Sequence, residues 1–168
     1  MIFVTSCSTQ KRSVSTNSSK PIHNGSYPAE NKSSKNSSTT NSSFSLKEFQ
    51  NKYDLLLGNK SSGITNLELF RFIDDWLQVP YKYAGKSKTG VDCSGLAALL
   101  IKQVYEKTIS GSSASIYNQT DPVTKANLKE GDLIFFKINS SNISHMGIYL
   151  VNNKFLHAST HGGVVVSD

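Results

Sequence analysis

From Ser45 onward the apolar residues recur first at helical and then at strand-like intervals. Ser45-Leu46-Lys47-Glu48 has the spacing of a capping box, and Phe49, Tyr53 and Leu56 follow at three- and four-residue steps until Gly58. That pattern predicts an amphipathic helix. Thr65-Asn66-Leu67-Glu68 repeats the box, and Leu69, Phe72, Ile73, Trp76 and Leu77 then line one face until Pro80, which removes a backbone donor and ends a second helix. Leu96, Leu99, Leu100 and Val104 predict a third helix over Ser94 to Tyr105, with Cys93 at its amino end. Beyond it come four short runs rich in β-branched and aromatic residues: Asp132 to Phe136, His145 to Val151, Lys154 to Ala158 and Gly163 to Val166. Gly, Asn and Ser separate them, so they read as consecutive antiparallel strands, with Asn152-Asn153 as a tight hairpin. Helices followed by a strand meander predict an α+β fold.

The first 43 residues carry neither period. From Ser8 to Ser43 the chain is mostly Ser, Asn, Thr and Lys, with scattered Pro and Gly. Such a segment buries too little apolar surface to offset its ordering entropy. Two regions are therefore expected, a tether over residues 1–43 and a folded domain over residues 44–168, long enough to bury one core. A flexible tether of some 36 residues spans roughly 30 to 35 Å. The net charge of +6 is uneven, since the tether holds Lys11, Arg12, Lys20, Lys32 and Lys35 against Glu30 and the folded part is only mildly basic. Tyr27 is the one aromatic residue among those charges, too little to stack successive bases, which argues against nucleic-acid binding and suits loose attraction to anionic lipid or wall polymer. Met1 to Ser8 is a short apolar run, then small residues, then Cys7. It resembles the end of a bacterial lipoprotein signal, in which the cysteine is acylated and anchors the chain to a membrane. Only Ile2 to Val4 are apolar, shorter than a secretory signal requires, and a free cysteine near a terminus is the alternative. A Cys7–Cys93 disulfide is not expected, because it would tie the tether to a helix start.

Cys93 introduces chemistry. A thiol at a helix amino end is favoured as thiolate, and its base must be supplied by the fold, which makes a histidine some fifty residues downstream a natural candidate. His145 meets that description, and His157 on the next strand is the candidate to orient it. Strand register tests the arrangement. If Asn152-Asn153 were the whole loop, His145 would oppose Thr160 and His157 would lie on the other face. A loop one residue longer, or a single bulge, would bring His145 opposite Ser159 or His161 and onto the face of His157. Spacing alone leaves open a buried structural cysteine and ordinary sheet histidines. A metal site at His157, His161 and His145 is disfavoured, because a four-residue step does not align side chains on strand and loop and no carboxylate accompanies them.

Five segments taken together narrow the choice: Pro80-Tyr81-Lys82-Tyr83, Asp92-Cys93-Ser94-Gly95, Gly131 to Phe136, His145 to Tyr149 and Phe155 to Ser159. In this order they resemble the successive motifs of the NlpC cell-wall peptidases, small lipoprotein members above all, over about Leu67 to Asp168. The resemblance implies a papain-like fold in which the nucleophile helix packs on a small antiparallel sheet. It implies Cys93 as nucleophile, His145 as general base, His157 as the residue orienting it, and Tyr81 near the oxyanion, where a well-aimed donor contributes about 3 kcal/mol. Tyr81 reads equally well as a packing residue. Asp92, Ser94 and Ser144 would contact the stem peptide, although Asp92 equally suits the helix cap. The reaction implied is amide hydrolysis of peptidoglycan stem or cross-bridge peptides through a thioester, commonly at the γ-D-glutamyl to diamino acid bond. No metal or cofactor is implied, and a monomer in the cell envelope is expected. Two departures stand out. Relatives usually continue past Val166 with a further strand, so the domain is expected to be truncated at its carboxyl end with an unpaired sheet edge. Ala84 stands where glycine is common. The competing readings are a catalytically silent wall-binding module, and an amidase or acyltransferase on the same fold.

Overall fold

The structure, a computed structural model, describes residues 2–6 and 38–168, with side chains from residue 46 onward. In chain order the elements are β1 (Ile2–Ser6), α1 (Ser38–Tyr53), α2 (Leu67–Trp76), β2 (Lys86–Ser87), β3 (Gly90–Val91), α3 (Cys93–Tyr105), α4 (Ser113–Tyr117), β4 (Asp121–Pro122), β5 (Leu133–Phe136), β6 (His145–Tyr149), β7 (Phe155–Ser159) and β8 (Gly163–Ser167). The main sheet runs β4-β1-β5-β6-β7-β8, and β2 pairs with β3. Every pairing in both sheets is antiparallel.

Period-two alternation gives the sheet a buried face and a groove face. Leu133, Phe135, Met146, Ile148, Leu156 and Ala158 are buried, and so are Leu96, Ala97, Leu100 and Ile101 of α3, which packs on β6 and β7. Each buried Leu, Ile, Phe or Met side chain contributes roughly 1.5 to 3 kcal/mol by leaving water. The opposite face carries Ile134, Phe136, His145, Tyr149, Phe155 and His157, by the same alternation.

The helices differ from the sequence expectation at their ends. α1 begins at Ser38 rather than Ser45 and so takes in residues read as tether; once packing fixes one turn, each added residue brings its own backbone bond. It ends at Tyr53, so Leu56 is not on its buried face: Leu57 is buried, whereas Leu55 and Leu56 are exposed. In α2 the cap is Asn66, not Thr65, and its side chain accepts from the N–H groups of Glu68 and Leu69. Glu68 pairs with Arg71 instead of closing a box, while Glu130 accepts from the Thr65 N–H at 3.2 Å.

The outer edge of β5 is paired with β1, with Ile2 opposite Phe136 and Thr5 opposite Leu133. The apolar run that resembles a signal end therefore includes a strand, as its β-branched and aromatic residues permit; Cys7 and residues 8–37 lie outside the described residues. At the other edge, Gln78 N–H donates to Val164 O (2.8 Å) and Val164 N–H to Val79 O (2.9 Å). That contact covers part of the β8 edge expected to be bare.

Candidate active site

Cys93 is the first residue of α3 and is held there by its neighbour. Asp92 caps the helix: one carboxylate oxygen accepts from Gly95 N–H at 2.6 Å and from Ser94 Oγ at 3.1 Å, and the other from Ala84 N–H at 2.9 Å. The last bond ties the preceding loop to the helix start, with Ala84 in the left-handed region at φ 56°. Gly95 makes the close approach possible, since a Cβ there would stand 2.4 Å from the Gly85 carbonyl oxygen. The carboxylate and the Ser94 hydroxyl are thus engaged in building the turn that presents the sulfur.

The hairpin β6–β7 presents the histidines. Asn152 and Asn153 both have positive φ, and Lys154 N–H donates to Val151 O at 2.8 Å, a two-residue type I′ turn. Alone that turn would separate the histidines. The ladder slips by one residue instead, because Leu150 N–H donates to Lys154 O at 2.9 Å, and Ile148 then pairs with Leu156 and Tyr149 with Phe155. Leu150 and Val151 together face Lys154, a bulge. In the slipped register residue 145 falls opposite residue 159, and His145 shares a face with His157. Their rings meet edge to face at a centroid separation of 5.0 Å, with His145 Nε2 at 2.8 Å from His157 Nδ1. His157 Nε2 lies 2.9 Å from Ser167 Oγ.

Cys93, His145, His157, Tyr81 and Ser144 line one cleft of about 530 Å³. Asp92 and Ser94 do not line it. Ser144 braces its rim, accepting from Ile138 N–H at 2.9 Å and donating to Ile138 O at 3.1 Å across the β5–β6 loop. Phe136 and Phe155 wall the histidines, at 5.8 Å from His145 and 5.0 Å from His157. These two aromatics and Ser167 were not singled out from the sequence. Ser167 depends on the β7–β8 pairing, to which the glycine pair Gly162-Gly163 at the turn was the available signal.

Burial pushes the Cys93 thiol above its ordinary value, aided by the Asp92 charge and opposed by hydrogen bonds from the backbone of Met146, Ser94 and Cys93 itself. Burial pushes His145 below the usual histidine range. His157 is lowered to about 4, by burial and then by the neighbouring His145. Tyr81 is raised, chiefly by burial and then by Cys93, so its hydroxyl keeps its proton. Both ring nitrogens of His157 are occupied by hydrogen bonds, and no group of three or more His, Cys, Asp or Glu side chains converges among the described residues.

Residues 78–168, more than half of the chain, match the model of the NlpC/P60 family. The chain belongs to the NlpC/P60 family. Its relatives include the Escherichia coli murein DD-endopeptidase MepS/murein LD-carboxypeptidase, 37% identical over 93 residues that cover 55% of this chain and 49% of the relative. A probable endopeptidase NlpC homolog of Haemophilus influenzae is 32% identical over 117 residues, 70% of this chain and 58% of that protein. Among solved structures, an NlpC/P60 family protein from Bacillus cereus superposes with a TM-score of 0.55 at 27% identity, covering 62% of this chain and 35% of that one. The chain spans about half the length of the curated relatives it matches. The NlpC/P60 likeness and the helix-on-sheet arrangement make the fold α+β and papain-like.

Proposed function

We propose that this NlpC/P60 domain is a cysteine peptidase that hydrolyses peptidoglycan peptides, with Cys93 as nucleophile and His145 as general base. The observation that carries the reading is one cleft holding a helix-start cysteine and a histidine whose far nitrogen is bonded at 2.8 Å to a second histidine. Because His145 Nε2 is engaged with His157, Nδ1 is the nitrogen left to take the thiol proton. The sulfur then adds to the substrate carbonyl carbon, and the charge on oxygen is met by the α3 amino end and the Tyr81 hydroxyl. His145 returns its proton to the leaving amine, a thioester remains, and a water deprotonated by His145 hydrolyses it.

The finer assignment is to the γ-D-glutamyl to diamino acid bond, with Ser144 on the cleft beside the stem peptide; Asp92 and Ser94, engaged in the helix turn outside the cleft lining, act only through the placement of Cys93. Names among the relatives that specify murein and peptidoglycan endopeptidases support the substrate class. The same relatives support a place in the cell envelope; acylation of Cys7 as membrane anchor and a monomeric domain complete the proposal and rest on the sequence alone. No helix among the described residues is long and apolar enough to cross a membrane.

Mass spectrometry of products from purified peptidoglycan tests both levels. The wild type is expected to release fragments cut at the γ-D-glutamyl bond, and Cys93→Ala to release none while still binding the polymer. Fragments opened at the cross-link instead would keep the peptidase and discard the bond. A wild type that binds without cutting would leave a wall-binding module.

A further inference from the structure

The histidine pair does not end at His157. Beyond it Ser167 Oγ stands 2.9 Å from His157 Nε2, so three side chains from three adjacent strands form one line of hydrogen bonds along the cleft wall. The register places it there: β8 pairs His157 with Val165 and Phe155 with Ser167, which puts Ser167 diagonally across from His157 on the groove face. The neighbouring carboxylate of Asp168 is occupied elsewhere, 2.5 Å from Lys154 Nζ.

We propose that Ser167 is a positioning residue: by accepting the His157 Nε2–H it holds His157 in the tautomer that accepts from His145, and so keeps His145 Nδ1 bare for the thiol proton. This rests on the peptidase reading of Cys93 and His145. Each neutral imidazole carries one ring proton, so the 2.8 Å contact allows two arrangements. In one, His145 Nε2–H donates to His157 Nδ1, His157 Nε2–H donates to Ser167, and His145 Nδ1 is free to act as base. In the other every proton is reversed, Ser167 donates, and His145 Nδ1 carries a hydrogen that blocks the step. Once His145 has taken the thiol proton both its nitrogens donate, and only the first arrangement survives. A serine accepting at the end of the line therefore stabilises the protonated base, each bond polarising the next. His157, lowered to about 4, stays neutral and able to accept throughout.

The test uses the full chain labelled with nitrogen-15 at histidine, in wild type, Ser167→Ala and Ser167→Thr. Ring nitrogen shifts are expected to move His145 toward the Nδ1–H tautomer in the alanine variant. Its kcat on purified peptidoglycan should fall about fivefold with KM unchanged, the usual worth of one hydrogen bond, and Ser167→Thr should restore both. Unchanged tautomers in Ser167→Ala overturn the proposal, whatever happens to its unfolding temperature. So does a threonine variant that folds normally without rescue. A wild type that does not cleave refutes the peptidase reading separately, because the nitrogen shifts need no substrate.

Discussion

At Cys93 and His145 one cause, removal from water, acts in opposite directions: it raises the thiol and lowers the imidazole. Both shifts favour the uncharged pair at rest, so His145 takes the thiol proton in the course of the reaction. His145 works as a base only while neutral, and protonation as the pH falls removes it. Since its titration lies below the ordinary value of about 6.5, the acid limb of a kcat/KM profile on peptidoglycan is expected below that pH. A limb at or above the ordinary value would contradict the burial argument. Ser144 and Asp92 act differently from the sulfur and the base. Their polar atoms are engaged with the backbone of Ile138, Gly95 and Ala84, so Ser144 shapes the cleft rim and Asp92 the turn that presents the sulfur.

The hairpin β6–β7 is the element on which the site turns, because its bulge converts two histidines on opposite faces into a bonded pair. Gly147 sits on β6 between them in sequence, close against β7. A Cβ there would meet Phe155 Cδ2 at 2.7 Å, the Leu156 carbonyl oxygen at 3.0 Å and His157 Cβ at 3.3 Å. Backbone and ring cannot both yield, so Gly147→Ala is expected to push β7 outward and carry His157 with it. Overpacking of this kind costs roughly 1 to 3 kcal/mol. An error of about 1 Å in a reacting group costs on the order of a hundredfold in rate. Thermal melts together with kcat check this: a variant of normal activity would show that the hairpin has slack.

Across the whole molecule, the two half-buried histidines tie stability to pH. Their folded values lie below the unfolded value, so the folded state binds fewer protons than the unfolded one. The stability they contribute is fully present above about pH 6.5, and is lost as the pH falls toward the His157 value of about 4. Asp54 and Asp74, held low by hydrogen bonds from Ser61 and from Lys52 and Tyr53, lose their contribution only in more acid solution. The melting temperature is therefore expected to decline through the histidine window before Asp54 and Asp74 titrate, partly offset by Glu130, whose carboxyl is pushed above its ordinary value by burial, and His157→Asn should flatten that first decline. Differential scanning calorimetry across the window checks it; a wild-type curve flat down to pH 4 would show the histidines unperturbed.

Local periodicity made much of the scaffold legible. The helix with Cys93 at its start and the four strands β5 to β8, two of which carry the histidines, follow from apolar spacing that each segment satisfies within its own few residues. Helix ends were less legible, since Asn66 rather than Thr65 caps α2 and Leu57 rather than Leu56 is buried, choices made by tertiary neighbours. The pairing of β1 with β5 joins positions far apart in the chain, and no local pattern encodes the partner. The meeting of His145, His157 and Ser167 lay furthest from the reach of sequence. The residues were visible, but a slip of one position decides which face of a strand each side chain occupies, and that slip is settled by a bulge whose energy belongs to the packed sheet.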